Sequence, residues 1–487
     1  MTYETIIGLE VHAQLLTRSK MFCRCPADYA DTPPNTHVCQ VCLGMPGVLP
    51  VINKKAIEYA IMTALALNCT IPHFTKFDRK NYPYPDLMKG YQISQYDAPI
   101  GVGGWMMLEV DGTERRIGIT RVHMEEDVAK LAHRSSPWGE SYSLIDVNRS
   151  GIPLMEIVSE PDMRSPEEAR QYLIKLRSIL QYLGVSTGNM EEGSFRCDAN
   201  ISIRPMGSSE SLAKVEVKNM NSFRAVYHAL EYEADRQRKV AEKGGALTQE
   251  TRGWVEDKGI TQSQRSKEYA HDYRYFPEPD LPPLTLSPVW VKELESHIPE
   301  LPEVRQDRFI TQYNLSPYDA NLLTGSKSLA DYFEDCVNIS QGLPQEKRAK
   351  SVSNWLLGDF SRLLNSAGIE IDQAKVAPAS LAELLDLIDR GTLSGPAAKT
   401  VFEEMFHTGK LAGEIVIQRG LTQISDDSAI EEVVRQIVDS NPQAVADFRA
   451  GKEQAAKFLV GQVMKATKGR ANPKLVNEIL RRKLEEG

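Results

Sequence analysis

The sequence predicts an α+β chain in which a mainly antiparallel sheet comes first and helices follow. Three observations carry this. Period-two alternation recurs through roughly the first 290 residues, helical spacing dominates beyond them, and seven prolines fall between Pro277 and Pro302. At about 150 residues per domain, the 487 residues suggest about three domains, placed at 1–293, 294–408 and 409–487.

The strands come first. Residues 3–15, 114–128, 141–148, 197–205 and 213–219 alternate polar and apolar side chains, as half-buried strands do. Helical spacing appears at Lys54–Leu67, Pro166–Tyr182 and Ser222–Glu242, with Ser165-Pro166-x-Glu168 as a capping box for the second. The proline-rich stretch has no regular period and predicts a linker or an extended wrapping segment. Beyond it, Leu329, Tyr332 and Phe333 share a helix face, as do Trp355, Leu356, Phe360 and Leu363. Ser380-x-x-Glu383 reads as the cap of the next helix and Gly391 as its stop. Thr408-Gly409 marks a second break, and Asn472-Pro473 opens the last helix on Ile479, Leu480 and Leu484.

Composition narrows the class. Apolar residues at 41% and charged residues at 25% are those of a globular chain. With 57 Lys+Arg against 66 Asp+Glu, the net charge of −9 argues against a simple histone-like binder but leaves room for a local basic surface. That surface is expected in the tail. From Gly451 to Gly487, nine Lys/Arg oppose four Glu, a balance of +5, and Lys465, Lys468, Arg470, Lys474, Arg481, Arg482 and Lys483 supply it. The longest mostly apolar stretch, Tyr59–Leu67, is about half of the ~18–20 residues a membrane span needs. The first residues, MTYETIIGLEV, lack a basic n-region, so a cytoplasmic protein without a membrane partner is expected.

Seven cysteines without a leader do not suggest a disulfide framework. Cys23-x-Cys25 and Cys39-x-x-Cys42, joined by a Pro- and Asp-rich loop, match the two knuckles of a structural, tetrahedral zinc site. Four reduced, packed cysteines are the plainer alternative. Cys69, Cys197 and Cys336 read as small buried apolar residues.

The chemistry is expected on the strand faces. Glu10 and His12 point away from Leu9 and Val11, and Arg121, His123 and Glu125 align. So do Asp198, Asn200 and Ser202, and Lys214, Glu216 and Lys218. One sheet with one polar face would gather Glu10, His12, Glu125, Asp198 and Glu216, an oxygen-rich set suited to Mg²⁺ and nucleotide phosphates. An ordinary wet sheet face is the competing reading. Lys76, Arg79, Lys80 and Lys89 interleave with Tyr82, Tyr84 and Tyr91 in a loop that could hold a phosphate and a stacked base, or simply pack at the surface. Arg149, before a Ser-Gly turn, is a further candidate phosphate ligand. The sequence contains no phosphate loop of the G-x-x-x-x-G-K-[ST] type, no G-x-G-x-x-G and no G-x-S-x-G or Ser-Lys nucleophile signature.

Taken together, IGLEVHAQL, FDRKNYPYPDLMKGYQISQYD, ITRVHMEED, NRSGIPLMEIVSEPD, MEEGSFRCDANISIRP, VEVKNMNSF, DYRYFPEPDLPPL and LVGQVMKATKGRANPKLVNEIL resemble the GatB family of tRNA-dependent amidotransferase subunits. The resemblance spans nearly the whole chain. It implies a cradle-shaped catalytic domain, a helical domain and a helical YqeY-like tail that binds tRNA. It implies ATP-dependent phosphorylation of the side-chain carboxylate of Glu-tRNA(Gln) or Asp-tRNA(Asn). Ammonia would come from an amidase-type glutaminase subunit, with a small third subunit making up a heterotrimer. Carried over by motif, Glu10, His12, Glu125, Asp198 and Glu216 would be the Mg²⁺ cluster. Lys76, Arg79, Lys80, Tyr82, Lys89 and Arg149 would be nucleotide contacts, and the four cysteines match zinc-bearing members. Two other classes stay open on the residues: a non-catalytic tRNA-binding scaffold with structural zinc, and a metallohydrolase acting alone.

Overall fold

A computed structural model describes residues 2–136, 138–266, 272–340, 342–421, 427–449, 452–467, 471 and 473–486. The chain divides into two compact units, Met1–Leu301 and Pro302–Gly487. Among the described residues no helix is long and apolar enough to cross a membrane.

In order, the first unit runs β1 (Tyr3–Gln14), α1 (Lys54–Ala66), β2 (Phe74–Thr75), β3 (Asp78–Asn81), β4 (Tyr91–Ser94), β5 (Gly101–Val110), β6 (Thr113–Glu126), β7 (Lys130–Ser135) and β8 (Ser141–Asp146). It continues with β9 (Pro153–Ser159), α2 (Pro166–Tyr182), β10 (Phe195–Pro205), β11 (Val215–Met220), α3 (Phe223–Glu242), β12 (Glu250–Val255), β13 (Ile260–Ser266), β14 (Phe276–Pro277), β15 (Leu284–Thr285) and α4 (Pro288–Ser296). Eleven of the strands form one sheet in the order β13-β12-β11-β10-β1-β9-β6-β4-β3-β14, with β5 paired to β6. The pairs are antiparallel except β11 and β12, which are parallel and joined by α3, the crossover that parallel pairing requires.

Alternation decides the two faces. On β1, Ile7, Leu9, Val11 and Ala13 are at most 1% exposed and join the first core. Helix α3 packs on β10 and β11, while α1 and α2 pack on β5. Helices thus cover one face and leave the face bearing Glu10 and His12 for polar groups.

The local signals act where their chemistry requires. Ser165 caps α2, its hydroxyl accepting from the Glu168 amide at 3.1 Å. The Glu168 carboxylate reaches past the cap to accept from the Arg164 amide at 2.7 Å, so the box closes one residue early. Two expectations are corrected. The proline-rich stretch holds a helix, α4, because Ser287 caps it and Pro288 occupies its first turn. That helix spans position 293, and its Leu294 belongs to the first core.

The second unit is helical: α5 (Pro302–Tyr313), α6 (Pro317–Thr324), α7 (Lys327–Ile339), α8 (Gln345–Trp355), α9 (Ser361–Ala367), α10 (Pro378–Asp389), α11 (Gly395–Thr408) and α12 (Ala412–Arg419) share one core. Helix α10 begins at Ala377-Pro378, so Ser380 lies inside its first turn and is not the cap. Pro378 presets φ for the first helical position, where a missing amide removes no intrahelical hydrogen bond. Gly391 does follow it at φ 70°, and Gly409 caps α11 at φ 76°. Helices α13 (Asp427–Ser440), α14 (Pro442–Arg449), α15 (Glu453–Ala466) and α16 (Pro473–Glu486) enclose a separate core around Ile430, Leu459, Val463, Ile479 and Leu480.

Candidate functional site

The polar face is organised by strand register. One row across the sheet reads Asp198, Glu10, Val158, Arg121; the next reads Arg196, His12, Glu156, His123; the third reads Gln14, Leu154, Glu125, Ser94. Neighbouring strands lie about 4.8 Å apart, so side chains in one row touch across strands that are distant in sequence.

The middle and third rows converge. His12 Nε2 lies 3.2 Å from Glu156 and 3.6 Å from Glu125, and His123 Nε2 lies 3.3 Å from Glu156. One ligand atom from each of His12, Glu125 and Glu156 falls within 4.8 Å of the others. Burial pushes the His12 imidazole down, but the hydrogen bond and charge of Glu156, with Glu125 behind them, lift it to about 9. As a metal ligand His12 would therefore have to give up a proton. Burial opposes the charge of Glu156 as well; the His123 and His12 imidazoles outweigh it and hold its carboxyl well below the usual range. Two carboxylates and an imidazole in this proximity fit a hard divalent cation.

The other expected ligands share the face without joining this trio. Glu10 accepts from Asn200 Nδ2 at 2.8 Å. Asp198 and Glu216 are bridged by the Lys218 ammonium at 2.5 and 3.2 Å, and Thr251 donates to Glu216 at 2.8 Å. Lys218 thus supplies, from within the chain, the positive charge those two carboxylates need.

The expected nucleotide contacts separate sharply. Arg79 forms a fork with Glu278, both bonds 2.7 Å, and reaches Asp280 at 3.0 Å. Lys76 is held by Asp78 and by Asp97 at 2.5 Å, and Lys89 is paired with Glu126. Arg149 donates to the Val128 and Ala129 carbonyls at 2.9 Å and lies 3.7 Å from Asp127. Tyr82 donates to Gln92 at 3.2 Å and packs edge-on to Tyr273. Lys80 differs: no carboxylate among the described residues lies within ion-pair distance, and its ammonium sits over Tyr273 at 5.0 Å and Tyr82 at 5.8 Å. Burial works against its charge, yet Glu125, Tyr275, Tyr82 and Glu156 outweigh that and keep it protonated above the usual lysine range.

Three functional candidates escaped the sequence reading. Glu156 lies in a strand buried along both faces, PLMEIVS, where no alternation shows; the available signal was one acid inside an apolar run. His123 and Lys218 were visible on the right faces, but only cross-strand register links them to Glu156 and Asp198.

A second cluster lies apart from the sheet face. Cys23, Cys25, Cys39 and Cys42 bring their sulfurs within 4.8 Å of one another, and the Cys39 amide donates to Cys42 Sγ at 3.1 Å. Hydrogen bonding from Cys23, with the nearby charge of Lys20, holds the Cys42 thiol down at about 5 against the effect of burial. Four convergent sulfurs fit a metal ion. Cys69, Cys197 and Cys336 are buried.

In the tail, Arg481 lies 3.7 Å from Glu453 and Arg482 lies 3.5 Å from Glu431, while Lys465 falls in the last turn of α15. Lys468 and Arg470 lie outside the described residues, as does the side chain of Lys474.

Family models and curated relatives match this chain along its length. A family model described as the GatB/GatE catalytic domain matches residues 5–292, and one described as the GatB domain matches residues 331–484. Among curated relatives, the B subunit of the aspartyl/glutamyl-tRNA(Asn/Gln) amidotransferase from Dehalococcoides mccartyi is 62% identical over 489 residues, covering 100% of this chain and 99% of that protein. The proteins of the same name from Thermoanaerobacter pseudethanolicus and Caldicellulosiruptor saccharolyticus are 56% and 54% identical, each match covering 100% of both chains.

Proposed function

The chain belongs to the GatB family, and from that premise we propose that it is the subunit of a tRNA-dependent amidotransferase that activates the substrate carboxylate. The substrate is Glu-tRNA(Gln) or Asp-tRNA(Asn). A side-chain carboxylate oxygen takes the γ-phosphoryl group of ATP and ADP leaves. Ammonia then adds at the acyl carbon and phosphate leaves, giving Gln-tRNA(Gln) or Asn-tRNA(Asn). Ammonia is supplied by an amidase-type glutaminase subunit, with a small third subunit in the complex. The absence of an acyl-transfer nucleophile signature in this chain supports that division of labour.

The observation that carries the reading is the trio of His12, Glu125 and Glu156 on the helix-free face, with the Lys80 ammonium beside it. Those three would hold Mg²⁺, whose chemistry is to neutralise charge on nucleotide phosphates. Lys80 offers an ammonium with no acid partner of its own among the described residues, which suits it to bind a phosphate oxygen. The Lys218 ammonium bridges Asp198 and Glu216 at the other side of the face, next to Glu10. Lys76, Arg79, Lys89 and Arg149 keep the loops around the site in place through their own pairs. The four cysteines hold a structural Zn²⁺, and the basic tail binds tRNA.

The test is transamidation by the reconstituted complex on both mischarged tRNAs. Glu125→Ala and Asp198→Ala should each abolish product formation, from glutamine or from ammonia, while tRNA binding persists. Full activity in both variants would leave a tRNA-binding scaffold with a structural metal as the better reading.

A further inference from the structure

Glu156 is bracketed by two imidazoles on the strands either side of it. Both approach the same oxygen, Oε2, His12 at 3.2 Å and His123 at 3.3 Å. The two histidines are not equivalent. His12 Nε2 also faces Glu125 at 3.6 Å, whereas His123 is 3% exposed and its Nδ1 is buried without a hydrogen-bond partner among the described residues. With Glu156 as its one acceptor among the described residues, the His123 proton belongs on Nε2.

This inequality matters once a cation is bound, and the point rests on the metal reading above. A histidine ligates through a nitrogen lone pair, so His12 cannot both ligate through Nε2 and donate that nitrogen's proton to Glu156. On ligation, Glu156 loses one of its two donors and keeps the other. We propose that His123 is a positioning residue, whose Nε2–H holds the Glu156 carboxylate in the cluster when His12 turns to the cation. Its role is that of the hydrogen-bonding partners that orient metal ligands from behind. Leu154 and Val158, the neighbours of Glu156 on the same strand face, offer no donor that could substitute. Without His123 the carboxylate would lose its remaining imidazole donor and depend on the cation for its orientation.

The experiment compares two polar replacements in the assembled full-length complex. Glutamine places an amide nitrogen about where histidine has Nε2, and asparagine places one about where it has Nδ1. The probe is Mn²⁺, followed by its electron paramagnetic resonance signal in the absence of substrates, with thermal unfolding of each variant as the check on folding. His123→Gln should keep Mn²⁺ affinity within about threefold of the parent, and His123→Asn should weaken it by roughly 10–100-fold. Asparagine binding Mn²⁺ as tightly as the parent would overturn the proposal, as would a folded glutamine variant that loses as much as asparagine. Glu125→Ala separates this from the reading beneath it. If Glu125→Ala leaves Mn²⁺ affinity intact, the metal site itself is wrong; if it abolishes binding while both His123 variants bind normally, only the role of His123 falls.

Discussion

Lys80 and Arg79 are adjacent on one short strand, carry the same charge and have opposite circumstances. The Arg79 guanidinium is closed in a two-bond fork on Glu278, whose side chain has no exposed area. Lys80 has tyrosine rings around it and carboxylate charge in front of it, but no partner within ion-pair distance among the described residues. Substitution should therefore separate them. Arg79→Ala is expected to cost about 3 kcal/mol of stability by leaving Glu278 buried and unpaired, with KM for ATP within about twofold of the parent. Lys80→Ala is expected to leave the unfolding temperature nearly unchanged while ATP-dependent product formation falls about 100-fold. Thermal unfolding and steady-state kinetics on the two variants read both halves of this contrast. The loop had read as a row of interchangeable cations because its spacing carries no information about Glu278, 199 residues away.

At the level of elements, strands that alternate were legible and strands that do not were only partly so. β1, β6, β10 and β11 each present one apolar and one polar row, and the period alone gives the face. β9 is buried on both faces, so its acid looked like an exception in an apolar run rather than the centre of a site. Helix starts depended on which competing signal won. At α10 the Ala377-Pro378 start displaced Ser380, and at α4 a Ser-Pro start built a helix inside a stretch that its proline count marked as a linker. Packing between elements adds a demand invisible in any window. Where β5 passes the end of α1, a Cβ on Gly104 would lie 2.4 Å from the Leu67 carbonyl oxygen and 2.4 Å from Cys69 Sγ. Gly104→Ala should destabilise the first unit by about 1–3 kcal/mol, because backbone there has no room to yield. A denaturation midpoint equal to the parent's would show that the close approach is not needed.

For the whole molecule, the tail is the part where cores decide more than charge does. The Thr408-Gly409 pair suggests a break there, but Ala412, Ile415 and Val416 on α12 belong to the core that also holds Phe360 and Phe402. Among the described residues, the separate tail core begins at Ile430. A chain ending at Leu421 is therefore expected to keep its unfolding midpoint, whereas one ending at Thr408 should lose stability along with those three apolar side chains. The chain ending at Leu421 should also raise KM for charged tRNA far more than it slows ammonia-driven chemistry at saturating substrate, and it should flatten the salt dependence of tRNA binding. Unchanged tRNA affinity and salt slope would refute a tRNA role for the tail. Arg481 and Arg482 already face Glu453 and Glu431, so RNA phosphates would have to compete with weak, exposed pairs rather than with buried ones.

Sequence by itself determined the segregation of sheet and helices, the polar and apolar faces of the alternating strands and the four-cysteine cluster, because each is written in spacing a few residues long. It also identified the family through motifs distributed over the whole chain. Tertiary structure alone decided which charges meet. It placed Glu156 between two histidines, put Lys218 between Asp198 and Glu216, and left Lys80 without an acid partner among the described residues while Lys76, Arg79 and Lys89 gained one. The histidine–Glu156 pairings join strands far apart in the chain at cross-strand distances of about 4.8 Å, and their electrostatics depend on burial and register, which no local window of sequence contains.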